Sequence, residues 1–154
     1  QTTKPFAESV GVARYVRENT GTKDRILVLG SEPQIYFYAQ RLSATGHIYM
    51  YPLMEEQPYA ETMQAEMLRD MAENRPRYII LVDDLSSWLS VSKSGGLFRQ
   101  RLNEFVRSGY ELDGVAAVSR DSKGFSVFGR SAGQFVPNTT SRILIYRLKG
   151  EGVR

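Results

Sequence analysis

The chain has no cysteine and a single histidine, His47. Without thiols there can be no disulfide, no thiolate nucleophile and no cysteine-based zinc site. One histidine, His47, on a stretch read as a strand, does not by itself build a nucleophilic triad. Long apolar runs are also lacking. No stretch approaches the ~18–20 apolar residues that a bilayer-crossing helix needs, and no signal peptide is visible. Lysine and arginine outnumber the acids by 20 to 17, for a net charge of +3 and a pI of about 9.2. These basic residues are scattered and never form a block, so no nucleic-acid partner is expected. Internal repeats and low-complexity segments are missing as well.

What is present is the composition of a folded domain. The hydrophobic share is 42% and the charged share 24%, close to globular averages. The 154 residues are read as one domain, 1–154, with a lead-in helix in 1–20 and a frayed tail at 149–154.

The organising stretch is Arg25–Tyr51. Ile26-Leu27-Val28-Leu29 is a short apolar run stopped by Gly30, as suits a strand buried on both faces. Ser31 is a good N-cap, Glu32 suits the start of a helix, and Pro33 is tolerated in a first turn. Ile35, Tyr38, Ala39 and Leu42 follow at helical spacing. Thr45-Gly46 then breaks the pattern, and His47–Tyr51 reads as a second strand, with His47 half-buried at its start. Strand, turn, helix and strand together make a parallel crossover, which puts the first strand at the centre of the sheet. A single glycine followed by Glu32 and Pro33 is a poor cradle for a pyrophosphate, because it offers a carboxylate and lacks an N–H. Glu32 is expected to face solvent or a local basic partner.

On either side of this unit the periodicity continues. Pro5–Glu18 reads as an amphipathic helix through Phe6, Val10, Ala13 and Val16. Pro52–Pro58 is read as a loop. Pro58–Asn74 is a helix whose Met63, Met67 and Met71 face the core. Tyr78–Val82 is a strand, Ser92–Gly96 a turn, and Leu97–Ser108 a helix stopped by Gly109. Gly114–Ser119, Phe125–Phe128 and Arg142–Leu148 read as strands, with Asp121–Gly124 a turn and Arg130–Thr140 a loop. Arg142–Leu148 alternates apolar and charged residues, as expected near a sheet edge. The expected fold is α/β: a three-layer Rossmann-like sandwich, mainly parallel at its centre, with antiparallel C-terminal strands.

Two strands end in polar turns, at Gly30-Ser31-Glu32 and at Asp83-Asp84. In open α/β sheets the crevice beyond the strand C-termini is where ligands bind. Ser31, Glu32, Asp83 and Asp84 are therefore binding candidates, either as an acidic rim for acid–base work or cation binding or simply as helix caps. Arg41, Tyr51 and Trp88 join them, because aromatic faces and a guanidinium can hold a sugar or a sugar phosphate. No catalytic residue, metal ligand or cofactor is assigned. Asn138-Thr139-Thr140 matches a glycosylation triplet by pattern alone and is given no weight.

The blocks Pro5–Thr20, Gly30–Tyr36, Arg41–Thr45, Tyr49–Leu53, Arg75–Ile80 and Ser87-Trp88-Leu89, in that order, resemble the region after the last membrane helix of bacterial glycosyltransferases related to the protein O-mannosyltransferases, glycosyltransferase family 39. The resemblance spans Pro5 to Leu89. It implies a non-catalytic extracytoplasmic, periplasmic domain of a multi-pass, polyprenyl-phosphate-sugar-dependent enzyme. That domain would aid acceptor access or parent stability. Its partners would be the transmembrane part of its own chain and a lipid-linked sugar or glycan acceptor. A chain that opens on Gln1 fits such an excised piece. The alternatives are a stand-alone small-molecule-binding or hydrolytic domain using the acidic rim, and an interaction module signalled by a large exposed apolar patch on the Pro5–Glu18 or Met63–Met71 helix.

Overall fold

The computed structural model describes residues 6–84, 87–88, 92–118, 124–137, 139 and 141–150, with backbone only at 6, 7 and 118. In chain order the elements are α1 (Phe6–Glu18), β1 (Ile26–Leu29), α2 (Gln34–Ala39), α3 (Tyr51–Met54), α4 (Ala60–Asn74), β2 (Tyr78–Asp84), α5 (Lys93–Gly109), β3 (Tyr110–Val118), β4 (Gly124–Phe128), a 3₁₀ helix (Arg130–Phe135) and β5 (Ser141–Leu148). The five strands form one open sheet in the order β1-β2-β5-β3-β4. Only β1 and β2 run parallel; the other three pairings are antiparallel. The fold is mixed α/β.

The sheet is therefore mostly antiparallel, not mainly parallel, and β1 lies at its edge, not its centre. The antiparallel majority comes from the pairings of β5, β3 and β4, and the edge position of β1 from one strand that is not made. His47–Tyr51 does not form a strand. The chain touches the sheet only at Ser43, bridged to Ile26, and then leaves it. That short contact covers the β1 edge: Ile26 donates its N–H to the Leu42 carbonyl and accepts from Ala44 N–H. The Val28 N–H donates to the Tyr36 hydroxyl at 2.8 Å. An edge closed in this way cannot recruit another strand.

β5 also departs from expectation, sitting between β2 and β3 instead of at an edge. Ile143, Leu144 and Ile145 are buried, as an inner strand requires. Its charges are matched across the ladder. Arg142 lies opposite Asp83 and bonds it at 2.8 Å, and Arg147 lies opposite Glu111 and bonds it at 2.6 Å. Cross-strand ion pairs make an alternating strand tolerable inside a sheet.

Burial on both faces explains the continuous apolar runs. Leu27, Leu29 and Ile79 face Met50, Leu53, Met67, Met71, Phe98 and Leu102 from α3, α4 and α5 and the segment before α3. Ile26, Val28, Ile80 and Val82 face Val12, Ala13 and Val16 of α1 and Ile35 and Ala39 of α2. The methionine stripe of α4 is core, as its spacing suggested: Met67 and Met71 are fully buried and Met63 packs against them. Two stretches read as loop or turn are helical. Tyr51–Met54 forms α3 with Pro52 in its first turn. Ser92 caps α5 by accepting the Gly95 N–H at 3.1 Å. Gly95 is where α5 approaches α3, since a Cβ there would lie 3.3 Å from the Met54 methyl carbon. Arg130–Phe135, also read as loop, is a 3₁₀ helix whose Ala132 packs on Val115 and Leu144. The Asp121-Ser122-Lys123 turn, residues 138 and 140 of the glycosylation triplet, most of Ser86–Val91 and the tail beyond 150 lie outside the described residues.

Candidate functional site

The carboxyl ends of β1 and β2 form the rim that sequence reasoning singled out. Gly30 turns the chain there with a φ of +143°. Ser31 does not cap α2; its N–H donates to the Ser87 Oγ at 3.2 Å, and the N-cap position is Pro33, with no side-chain cap. Glu32 does not face solvent. It is buried, accepting from the Gln34 amide at 2.5 Å and the Ser87 hydroxyl at 3.4 Å. Ser87 thus ties the β1–α2 turn to the segment after β2. The Ser31 Oγ is enclosed there without a hydrogen-bond partner among the described residues.

Asp83 is held by Arg142, which also donates from Nη1 to the Pro137 carbonyl at 3.0 Å. Asp84 ends β2 opposite Ser141. Among the described residues no group of three acidic or histidine side chains could hold a metal ion. The rim carboxylates are therefore engaged separately: Glu32 by an amide and a hydroxyl, Asp83 by an arginine. That is the chemistry of structural ties, and the acidic-rim enzyme or binder is not supported. His47 does lie partly buried, with Nε2 3.4 Å from Glu66 on α4.

Beside the rim lies a cavity of about 200 Å³, lined among others by Asp83, Trp88, Arg99, Asn103 and Arg142. Trp88 is buried, fixed by donation from Nε1 to the Val82 carbonyl at 2.8 Å. The Arg99 guanidinium stands over its ring, 4.8 Å from the centroid. Tyr51 does not line this cavity; it opens α3, with its ring 5.6 Å from that of Tyr49.

Arg41 is elsewhere and is occupied. It is 9% exposed. Nε donates to the Thr20 Oγ1, Nη1 to the Gln40 and Ala39 carbonyls, and Nη2 to the Arg17 and Thr20 carbonyls. These carbonyls belong to the C-terminal ends of α1 and α2, where orphaned acceptors favour a cation. Arg41 therefore clamps two helix ends. Next to it α2 buries Ile35 and Ala39, which turns Phe37 and Tyr38 outward. Phe37 is 78% exposed and Leu42, just past the helix, 69%. They border a groove of about 470 Å³ lined by Arg17, Thr22, Tyr36, Phe37, Tyr38, Gln40, Arg41 and Leu42.

One cluster went unnoticed in the sequence. Asp113 sits at an irregularity of β3, between Leu112 and Gly114, and is 4% exposed. Its Oδ2 accepts from the Tyr15 hydroxyl at 2.7 Å and the Tyr78 hydroxyl at 3.1 Å. Tyr15 also stacks on Phe128 at 4.4 Å. The one available signal was an aspartate inside a strand, a place that residue avoids. Burial, then the Asp113 hydrogen bond, push the Tyr15 phenol from its ordinary 10.0 up to about 12. Burial first and the Asp113 charge second push Tyr78 up as well. An unfolded chain would release these protons near pH 10, before the folded one. The contribution to stability is thus full below pH 10 and is lost as the pH rises from 10 towards 12. Spectrophotometric titration is expected to show some of the nine tyrosines ionising late, and Tyr15→Phe to flatten the alkaline loss of stability. A single ionisation step near pH 10 for every tyrosine would contradict this.

Comparison with known proteins corrects the family assignment. No helix among the described residues is long and apolar enough to cross a membrane. No curated protein and no solved structure matches the chain. One family model does match, over residues 6–95, which is nearly the stretch that carried the glycosyltransferase resemblance. It is not a glycosyltransferase model, so the transferase, membrane and periplasmic readings drawn from that resemblance are withdrawn. The motifs behind it serve local geometry: Gly30 for a positive φ, Pro33 at a helix start, Arg41 as a clamp. Unrelated α/β domains can meet the same demands with the same residues. With more than half of its length matched, the chain belongs to the family described as "Putative competence-induced protein Ccs4 C-terminal domain".

Proposed function

We propose that this domain is a protein-interaction module whose contact surface is the groove beside α2. One observation carries the reading: Phe37 and Leu42 expose large apolar surface along a groove lined, among the described residues, by no carboxylate. A six-residue helix needs only Ile35 and Ala39 to hold it on the sheet. Its outward Phe37–Tyr38 pair, with rings 5.6 Å apart, adds nothing to the core. Exposed aromatic residues beside an arginine are the composition of an interface centre. Arg17 is exposed on the α1 side, whereas Arg41 is locked and holds the groove's shape. The complementary occupant is a partner segment with one or two apolar anchors flanked by aspartate or glutamate. The family's description as the C-terminal domain of a competence-induced protein supports a module that works within a larger chain or assembly. In outline we read the helices on both faces of the sheet as a three-layer α/β sandwich. Its likeness to a Rossmann unit is confined to the parallel β1–β2 pair.

A peptide-display selection against the domain tests the proposal. The enriched sequences are expected to combine aromatic or aliphatic anchors with acidic flanks. They should bind at least about tenfold more weakly to Phe37→Glu, whose thermal stability stays within about 0.5 kcal/mol as for other exposed positions. Enrichment of basic sequences, or retention by Phe37→Glu, would overturn it.

A further inference from the structure

We infer that the cavity between Trp88, Arg99 and Arg142 is a second, independent site that anchors a small oxyanion group, the phosphate or carboxylate of a ligand. Four observations converge on it. The cavity lies against the carboxyl-end half of β2, with Leu29 of β1 also in its wall, which is where open α/β sheets receive ligands. Its volume of about 200 Å³ is below the ~300 Å³ at which pockets begin to hold drug-sized molecules, so it takes a group and not an extended ligand.

The charges in the lining do not balance. Among the described residues of the lining Asp83 is the only carboxylate, against two guanidinium groups, and Arg142 already pairs with it. Among the described residues no acid pairs with Arg99. Its partner is the Trp88 ring, 4.8 Å away. A guanidinium held over a ring by this contact, and paired with no acid, keeps N–H groups with which to bind a carboxylate or phosphate. Trp88 cannot swing away, because its indole N–H is bonded to the Val82 carbonyl. Arg142 is fixed on two sides, by Asp83 and by the Pro137 carbonyl. The exposed Asn103 adds a neutral amide donor to the lining. The site is thus assembled before any anion arrives, which lowers the ordering cost of binding.

The chain has one tryptophan, so its fluorescence reports on this cavity alone. Intact protein is titrated with inorganic phosphate, with acetate and with chloride at matched ionic strength. A saturable change in Trp88 emission is expected with phosphate or acetate, and none with chloride. A response to phosphate alone assigns a phosphate-bearing ligand, and to acetate alone a carboxylate. Arg99→Gln is expected to weaken the response at least tenfold. Asn103→Asp, at an exposed position that should not disturb folding, is expected to weaken it likewise by placing a carboxylate beside Arg99. A change matched by chloride, or one that survives in both variants, overturns the site. Neither variant touches the α2 groove, so the two proposals fail separately.

Discussion

Replacing Arg41 by alanine is expected to destabilise the domain by about 2–3 kcal/mol, a drop in Tm of roughly 5–10 °C for a chain of this size. The residue looks like a surface arginine in the sequence and is a buried clamp in the fold. Its guanidinium donates to one hydroxyl and four carbonyls, at the ends of two helices. Among the described residues no carboxylate pairs with it; the carbonyl dipoles offset its charge. Truncation removes charge-assisted bonds, each more costly to lose than a neutral one. It also frees the C-terminus of α1 from Gln40, which adopts a left-handed conformation with φ 53° to bring Arg41 into place. Arg41→Lys is expected to recover less than half of the loss, since one ammonium on a flexible stem cannot reproduce a planar fork. Denaturant unfolding decides the matter. A loss below about 0.5 kcal/mol, typical of exposed positions, would show that the clamp is not needed.

Gly30→Ala is expected to cost about 2–4 kcal/mol, again a large share of the roughly 5–15 kcal/mol that holds a domain together. Two penalties combine. At φ +143° a side chain is strained whatever the space around it. The added Cβ would also lie 2.8 Å from the Val82 Cβ and 3.2 Å from the Ser87 Oγ. The nearest obstacle is a Cβ, so Val82→Ala does not relieve the clash. The Ser87 hydroxyl bridges the Ser31 N–H and Glu32, so displacing it also loosens the turn. The effect should therefore appear both as a lower midpoint and as faster amide exchange at Ser31. An alanine variant as stable as the parent would mean that the β1–β2 rim is not packed as described.

Much of the secondary structure was legible in the chain, because local periodicity is enough to specify it. The helices α1 and α4 and all five strands answer to apolar spacing, and the methionine stripe of α4 marked a core face. Where the structure departs from that pattern, contacts made outside the segment itself decided it. His47–Tyr51 has strand-like residues, yet the β1 edge is already closed by Leu42–Ala44 and Tyr36. The charges of β5 suggest an edge until Asp83 and Glu111 stand opposite them. Glu32 looks like a solvent-facing acid until Ser87, brought in from beyond β2, encloses it. The shared rim of Glu32 and Asp83 could be anticipated from the strand ends, but the partners of its carboxylates could not.

By itself, then, the sequence determined a cysteine-free, mixed α/β domain with two-sided apolar strands, since composition and spacing act over a few residues. Strand order, the antiparallel majority, the clamp made by Arg41 and the Trp88–Arg99 cavity were decided only in three dimensions. Each depends on which polar groups remain unpaired once the apolar faces have closed, and that is a property of contacts between distant segments.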